Sequence, residues 1–341
     1  MIAATLIFLL ATGALGAAAT NTFVVAAYNV ENWVLMERDG LPDQSKPDAE
    51  KTAVADVLAA VRPDVLGLEE IGTTNELAEL AGLLAARGLE YPHSEWIQGW
   101  DTNRHVALLS RFPITERHSR NDYSFKIENN VLFHSRGVLD VRVQVNPQYS
   151  FRAVVAHLKS KRQHDLYDQT VMRREEARLL RTHVAGALER EAALNLIVMG
   201  DLNDTPETET VQTIIGQPPL QLMDLMPQDS TGGYQTHLWR YRGVWSRIDY
   251  LLASPGMAHE YVTGSARIAD MAGHDRASDH RAVYASFRTE ESVPIVETAS
   301  PPADSPISGR LIFALVAAVI VADVVVVLWI LSRRRPPPAS P

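Results

Sequence analysis

The feature that most constrains the fold is an alternation of short β-branched runs with longer helix-forming stretches from residue 23 to residue 288. Helix-forming stretches separate some of the runs, whereas others follow each other closely enough to form hairpins. Because the predicted strands outnumber the helices, we expect an α/β fold, a sandwich of two mixed β-sheets with outer helices. The predicted strands are residues 23–28, 65–68, 106–109, 138–145, 151–157, 196–199, 248–252 and 283–287, and the predicted helices are 48–61, 75–87 and 167–192.

The composition limits the chemistry that this fold can carry. None of the 341 residues is a cysteine, which excludes disulfides, thiol nucleophiles and thiolate-bound metals. Any metal must therefore be held by oxygen or imidazole ligands. The formal net charge of -9 means that the surface as a whole repels polyanions, so a nucleic-acid-binding face would have to be a local basic patch.

The two ends of the chain are strongly apolar. Residues 1–19 carry no charged side chain and finish in three alanines, which predicts a secretory signal peptide; because no basic residue follows Met1, an uncleaved anchor is the alternative. Residues 311–331 form a second apolar run and are followed by three arginines. This pattern predicts a transmembrane helix with a short basic, Pro-rich tail, residues 332–341, in the cytoplasm, and a buried core helix is the alternative.

Between the predicted membrane helix and the globular region, residues 20–289, the sequence is rich in proline, serine and acidic residues. Residues 290–310 are therefore expected to form a flexible tether. Asp323 lies near the middle of the predicted membrane helix, where an ionised carboxylate is costly, so self-association through this helix is a hypothesis. These patterns predict a single-pass, membrane-anchored protein whose globular region is extracytoplasmic, either periplasmic or extracellular.

Polar residues lie in six groups at the ends of predicted strands. Functional side chains are often carried by loops on a rigid scaffold, so the six groups could converge on one rim of the sandwich. Taken singly, each group has a plainer explanation, such as a turn or a helix cap. The groups are residues 29–32 (NVEN), Glu69 with Glu70, His157 with the basic residues after it, 200–204 (GDLND), 247–250 (RIDY) and 278–280 (SDH).

A pocket that combines asparagine, several carboxylates and two histidines without cysteine favours a hard ion such as Mg²⁺ or Mn²⁺. Phosphoester cleavage uses this combination most directly. The metal offsets charge on the phosphoryl group, a carboxylate orients or deprotonates water, and histidine assists the charged transition state.

Eight short motifs in chain order resemble those of the endonuclease/exonuclease/phosphatase superfamily. Each motif is weak alone, but eight in the same order are specific, and the resemblance covers about residues 23–288. The superfamily includes pancreatic-type deoxyribonucleases, apurinic endonucleases, secreted sphingomyelinases and inositol-polyphosphate phosphatases. The motifs are AYNVEN (27–32), LGLEEI (66–71), VALLSRFPI (106–114), SRGVL (135–139), VAHLKS (155–160), VMGDLND (198–204), RIDYLL (247–252) and SDH (278–280).

The resemblance implies a four-layered sandwich and Mg²⁺-dependent phosphoester hydrolysis, and it assigns metal ligands by motif. Glu70 corresponds to the principal metal ligand, with Asn29 beside it. Glu31 corresponds to a water-mediated partner, and Asp279 to a further member of the metal sphere.

The resemblance also assigns catalytic and phosphate-binding roles. Asp201 would align or deprotonate the attacking water, and Asn203 would hold a phosphate oxygen. Asp249 would orient His280, which contacts the phosphate; a carboxylate beside an imidazole also keeps that imidazole cationic. His157 would contact the phosphate or aid the leaving group, and Arg136 would bind phosphate.

The substrate stays open at this stage. A basic run suggests a local funnel for anionic substrates, and four tryptophans in loop-like stretches would stack on bases, enter lipid or cap the core. DNA or RNA is favoured over a phospholipid headgroup, and a soluble phosphate ester or a catalytically inactive binding module are further alternatives. The basic residues are Lys159, Lys161, Arg162, Arg173 and Arg174, and the tryptophans are Trp96, Trp100, Trp239 and Trp245.

Overall fold

The computed structural model describes residues 21–162 and 167–290. The strands are β1 (Thr22–Trp33), β2 (Met36–Arg38), β3 (Leu41–Gln44), β4 (Val65–Ile71), β5 (His93–Ile97), β6 (His105–Ser110), β7 (Ile114–Arg117), β8 (Ser124–Ile127), β9 (Asn130–Phe133), β10 (Val138–Asn146), β11 (Tyr149–Ala156), β12 (Leu196–Asp201), β13 (Met223–Asp224), β14 (His237–Trp239), β15 (Val244–Ser246), β16 (Asp249–Ala253), β17 (Arg267–Ile268) and β18 (Val283–Arg288). The helices are α1 (Asp48–Val61), α2 (Thr74–Ala85), α3 (Gln169–Arg190), α4 (Glu209–Ile215), α5 (Pro255–Glu260) and α6 (His274–Ala277).

Two six-stranded sheets dominate the fold. The first has the strand order β17-β18-β1-β4-β6-β5, and the second has the order β13-β16-β12-β11-β10-β7. Each sheet contains one parallel pair, β1 with β4 and β11 with β12, and its other pairs are antiparallel. The prediction of two mixed sheets is therefore confirmed.

Three apolar cores hold the layers together. The inner core lies between the sheets and includes the clustered rings of Phe23, Phe151 and Phe287. The second core packs α1 and α2 against the outer face of the first sheet, and the third packs α3 and α4 against the outer face of the second. Helices thus flank both sheets, and burial of these apolar faces is the main source of stability.

Helix α1 shows how local sequence sets an element. It covers residues 48–61, the range predicted from sequence, and it begins after Pro47 with two acidic residues in its first turn. Its cap residue Arg62 adopts the left-handed conformation, and Pro63 follows. Because proline disfavours helical backbone in the residue before it, the helix ends here and the chain turns into β4.

Several predictions fall outside the described residues. They concern the signal peptide (1–19), the tether beyond residue 290, the membrane helix (311–331), Asp323 and the basic tail (332–341). Within the ranges 21–162 and 167–290, no helix has the length and apolar character needed to cross a bilayer.

Candidate active site

Asp201 is the centre of a buried polar cluster between the two sheets. It ends β12 and is 1% exposed. The side-chain amides of Asn29 and Asn203 each donate to its Oδ2 over 3.1 Å, and the backbone N–H of Asn203 donates to its Oδ1 over 2.8 Å. Nε2 of His157 lies 3.5 Å from the same Oδ2. Contacts from three residues, Asn29, His157 and Asn203, therefore fix the orientation of this carboxylate.

A histidine–aspartate pair faces Asp201. Nδ1 of His280 lies 3.0 Å from both carboxylate oxygens of Asp249, and its Nε2 lies 3.8 Å from Oδ2 of Asp201. The hydroxyl of Thr236 accepts the backbone N–H of Asp249, and the hydroxyl of Ser278 accepts that of His280. Both partners are thus held by the backbone as well as by each other.

The electrostatics of this pair favour an imidazolium. Burial alone would lower the pKa of His280, but Asp249 and Asp201 outweigh it and raise that pKa well above its usual range. Burial raises the pKa of Asp201 to about 7; Asp249 adds to this, while His280 opposes it. A carboxylate of that pKa is suited to exchange a proton near neutral pH.

His157 has the opposite character. Its side chain is fully enclosed, and burial, together with Arg136 and His280, lowers its pKa well below its usual value. Within the described residues its Nδ1 has no hydrogen-bond partner. The site thus presents one neutral and one charged imidazole to Asp201.

Glu31 and Asp279 form the opposite side of the cluster. Oε2 of Glu31 accepts the backbone N–H of Asp279 over 2.9 Å, and Nη1 of Arg240 lies 2.5 Å from its Oε1. Both oxygens of Glu31 are therefore engaged by protein donors. Nε2 of His237 lies 3.7 Å from Oδ2 of Asp279, and Nε2 of His280 lies 4.0 Å from its Oδ1.

Glu70 lies at the rim rather than in the buried cluster. Its backbone has a positive φ of 61°, at an irregularity in the pairing of β4 with β6. Its Oε2 accepts the backbone N–H of Asn32 over 2.9 Å and lies 3.8 Å from Nε of Arg104. The carboxylate is partly exposed, which suits a ligand that must reach an ion from the cleft.

Glu69, the neighbour of Glu70, was not predicted as a site residue. It is fully buried, and neither carboxylate oxygen has a hydrogen-bond partner among the described residues. Burial, with the nearby charges of Asp249 and Asp201, raises its pKa well above the usual range. His237 and Arg240 were also missed, because a lone histidine and a lone arginine in a polar loop carry no local signal.

The donor set fits a divalent cation. Ligand atoms of Asp201, Asp249 and His280 lie within 4.8 Å of one another, and so do those of His237, Asp279 and His280. Because the His280 imidazolium has no lone pair to share, only the other members of these groups can be metal ligands. The cluster contains more carboxylates than the single imidazolium can balance, and Glu69 contributes a further buried carboxyl group whose oxygens have no hydrogen-bond partner among the described residues. Excess oxygen donors of this kind are what hard cations such as Mg²⁺ require.

The predicted phosphate-binding side chains lie beside His157. Arg136 is 4% exposed; its Nη2 lies 3.3 Å from Oδ2 of Asp101, and its Nε has no acceptor in the described part of the chain. Lys159 is half-buried, and burial together with Arg136 lowers the pKa of its ammonium. Asn203 donates its amide to Leu158 as well as to Asp201, so in this structure it orients Asp201.

The predicted basic funnel is wrong for Arg173. Arg173 is buried, with its Nε 3.0 Å from Oδ2 of Asp204, and Nζ of Lys161 lies 2.8 Å from Oδ1 of the same residue. Arg174 pairs with Glu209. The side chains of Lys161 and Arg174 are 55% and 44% exposed in these pairs, so their part in the funnel stays a prediction. Arg162 is exposed, and Lys159 keeps its place beside the site.

The tryptophans divide into structural and exposed residues. Trp96 lies in β5, and its indole N–H donates to Gly72 over 2.9 Å, so it caps the core. Trp239 and Trp245 lie on the β14–β15 hairpin and are 49% and 41% exposed. Trp100 is 66% exposed. Three of the four therefore reach solvent.

Comparison with proteins of known sequence and structure places the chain in a family. A profile of the Endonuclease/Exonuclease/phosphatase family matches residues 28–280, whereas no curated protein matches by sequence. An endonuclease/exonuclease/phosphatase from Beutenbergia cavernae has 21% identity and a TM-score of 0.54, covering 79% of this chain and 72% of its own.

Two further solved structures share the fold. Sphingomyelinase C from Streptomyces griseocarneus has 18% identity and a TM-score of 0.51, covering 79% of this chain and 100% of its own. The human nocturnin catalytic domain with bound sulfate has 18% identity and a TM-score of 0.54, covering 79% and 95%. Since the matched residues include the strands and loops that build the buried cluster, the chain belongs to the endonuclease/exonuclease/phosphatase family, whose members are metal-dependent hydrolases of phosphoester bonds.

Proposed function

We propose that the protein is a Mg²⁺-dependent phosphodiesterase that cleaves nucleic acid, with Mn²⁺ as an alternative ion. The observation that carries this proposal is the buried Asp201 carboxylate, whose Oδ2 is approached by Asn29, Asn203 and His157 while the His280 imidazolium faces it. This arrangement offers a proton acceptor and a fixed positive charge within one cleft.

The residues divide the chemistry between them. Glu70, Asn29 and Asp279 would hold the divalent ion, which supplies Lewis-acid stabilisation of a phosphoryl oxygen when bound. Asp201 orients a water molecule and accepts its proton. The imidazolium of His280, held by Asp249, stabilises the negative charge that develops on phosphorus oxygens.

The uncharged His157 has a different part. Its Nε2 contacts Asp201, and it adjoins Arg136 and Lys159, which bind the substrate phosphate. Glu31 does not contact the ion directly but positions Asp279 and Arg240, because its two oxygens accept hydrogen bonds from the backbone N–H of Asp279 and from Arg240.

A phospholipid headgroup is the second candidate substrate, because the β14–β15 hairpin is apolar at its surface. Trp239, Tyr241 and Trp245 are 49%, 86% and 41% exposed, and two guanidinium groups stack on the indoles: Arg242 over Trp239 and Arg281 over Trp245. Exposed aromatics beside cations suit a membrane interface as well as a nucleic acid.

One substrate panel separates these candidates. The full-length chain, purified in mild detergent, is incubated with plasmid DNA, sphingomyelin and bis(p-nitrophenyl) phosphate, each with Mg²⁺ and with excess chelator. The proposal predicts chelator-sensitive nicking of DNA, lost in Asp201→Asn and kept in Asp122→Asn, a surface control. Headgroup release from sphingomyelin without DNA nicking would show that the substrate is a phospholipid and not a nucleic acid. No turnover of any phosphodiester by folded protein would contradict it.

We also propose that the enzyme works outside the cytoplasm, anchored by residues 311–331 after export directed by residues 1–19. The apolar run, the three arginines after it and the Pro/Ser-rich residues 290–310 support this location. Self-association through the Asp323 segment is part of the same proposal. Membrane fractions washed with alkaline carbonate should retain the full chain, and deletion of residues 311–341 should release it; retention of the deleted chain would contradict the anchor.

A further inference from the structure

We propose that Trp100 and Phe133 form a stacking platform for a nucleobase of the substrate, on the Arg136 side of the catalytic cleft. The inference rests on the proposed nucleic-acid phosphodiesterase activity and extends it to the recognition of the nucleotide next to the scissile phosphate. We call this pair of rings the Trp100 platform.

The rings of the Trp100 platform are nearly parallel, with Trp100 exposed and Phe133 half-buried beneath it. Their centroids lie 4.5 Å apart with an interplanar angle of 16°, and Trp100 is 66% exposed. Aromatic rings in a protein core are usually covered on both faces, and burial of this surface is favourable. A large indole that rests on another ring while most of its surface meets water presents a flat face for a third ring.

The platform is rigidly joined to the phosphate-binding side of the site. The backbone N–H of Asp101, next to Trp100, donates to Ser135 over 2.7 Å, and the carboxylate of Asp101 pairs with Arg136. Only glycine fits at position 99 where the loop packs against the backbone of Arg136, because a Cβ atom there would lie 2.4 Å from the backbone carbonyl carbon of Arg136.

A second connection reaches the metal side of the site. The backbone N–H of Arg104 donates to Oδ1 of Asp101 over 3.1 Å, and Nε of Arg104 lies 3.8 Å from Oε2 of Glu70. One short loop, residues 98–104, thus carries the exposed indole and contacts both a predicted phosphate ligand and the predicted principal metal ligand.

The charges beside the platform complement a nucleotide. Arg104, Arg136 and Lys159 form a cationic group, and Nε of Arg136 is buried without an acceptor within the described residues. Planar rings next to cations bind a base and its phosphate together, and stacking tolerates any base. A nucleotide uses both features, because its base can stack on the exposed ring face while its phosphate meets the cationic group, so the geometry favours a nucleotide as the occupant.

The platform is tested with dinucleotides that contain one phosphodiester. Full-length wild type, Trp100→Leu, Trp100→Phe and the surface control Asp122→Asn are assayed on the normal dinucleotide and on two versions that lack the base on one side or the other. We expect Trp100→Leu to lower kcat/KM on the normal dinucleotide about tenfold, mainly through KM, with Trp100→Phe intermediate.

The abasic versions identify the stacked base. On one of them, wild type and Trp100→Leu should have the same kcat/KM, because the base that stacks is already missing; on the other, the tenfold difference should remain. Equal losses on all three substrates, or no loss, would overturn the platform while leaving the phosphodiesterase intact. Absence of turnover by wild type on DNA and on dinucleotides would instead overturn both proposals.

Discussion

Two buried clusters of charge in this molecule are built in opposite ways. In the first, Asp140 on β10 receives Nε of Arg152 over 2.9 Å, also contacts Nη2 of Arg152, and lies 2.6 Å from Nε2 of His183. Burial would raise the pKa of Asp140, but the hydrogen bonds with His183 and Arg152 outweigh it and hold that pKa below its usual range. Each buried charge here has a partner.

The second cluster is the candidate active site, where carboxylates exceed cations. Asp201 and Glu69 have raised pKa values because burial and neighbouring acids disfavour their charged forms, and Glu69 has no hydrogen-bond partner in the described residues. Uncompensated buried charge destabilises a fold, so its presence points to a function that needs it. Charge balance therefore distinguishes the structural cluster from the functional one.

Asp201→Asn should produce the largest effect on activity. We expect kcat to fall about 10³-fold or more, since the variant cannot accept a proton, while the thermal midpoint stays the same or rises because a buried acid is removed. Steady-state hydrolysis and a thermal melt of the same sample measure both. A variant that kept full turnover would refute the role of Asp201, and one that unfolded would assign it to structure.

Asp140→Asn should show the reverse pattern. Loss of this carboxylate leaves the buried guanidinium of Arg152 without its counter-ion, so we expect the free energy of unfolding to fall by about 3–5 kcal/mol. Urea denaturation measures this, and turnover per folded molecule should not change. If stability were unaffected, the contrast between the two clusters would disappear.

Mg²⁺ should stabilise the folded protein through the acidic cluster. At a concentration about 100-fold above its dissociation constant, a ligand that binds only the folded state adds about 2.7 kcal/mol, which corresponds to a rise of about 5 °C in the thermal midpoint. We expect this rise in wild type and in Asp140→Asn but a smaller one in Asp201→Asn. Equal shifts in all three proteins would indicate binding elsewhere.

The pH dependence of stability should separate the clusters by sign. Asp140, with its lowered pKa, contributes stability that is present above the unfolded pKa of about 4 and is lost as the pH falls through the folded value. Glu69, with its raised pKa, contributes stability that is present below the unfolded value and is lost as the pH rises toward the folded one.

With metal chelated, Glu69→Gln should therefore raise the free energy of unfolding at pH 8 by about 1–2 kcal/mol and change it less at pH 5. Urea denaturation at the two pH values tests this, with Asp140→Asn as the control. The unfolding free energy of that control should depend on pH differently from wild type only in the acid range. A uniform change at both pH values would mean that Glu69 titrates alike in the folded and unfolded states.

Much of the fold follows from local sequence. Helix α1 has its predicted bounds, and the predicted strand 196–199 lies within β12. The small hairpins were not predicted, because their strands lack an apolar alternation: β3 is LPDQ, exposed at every position. Their pairing depends on tertiary context, which overrides propensity in short segments.

The strand-end pattern predicts that Asn29, Asp201, Asp249 and His280 meet, and the structure brings them together; their catalytic roles stay predictions. The exclusion of Arg173 from the predicted funnel could not be foreseen, since its partner Asp204 lies 31 residues away.

The burial of Glu69 could not be predicted from the sequence either. Two adjacent glutamates in a strand point to opposite faces of the sheet, but the sequence does not show which one faces the interior. In the structure Glu69 is buried, and Glu70 lies at the rim, where β4 is irregular and its φ is positive.

The central claim is that the excess acid of the active site serves to hold a divalent cation. Calorimetric titration of Mg²⁺ into the full-length wild type and into Glu70→Gln, with the surface variant Asp122→Asn as control, tests it directly. We expect saturable binding by wild type and the control, and binding at least tenfold weaker in Glu70→Gln. Equal affinity in all three proteins, or no binding by wild type, would contradict the account.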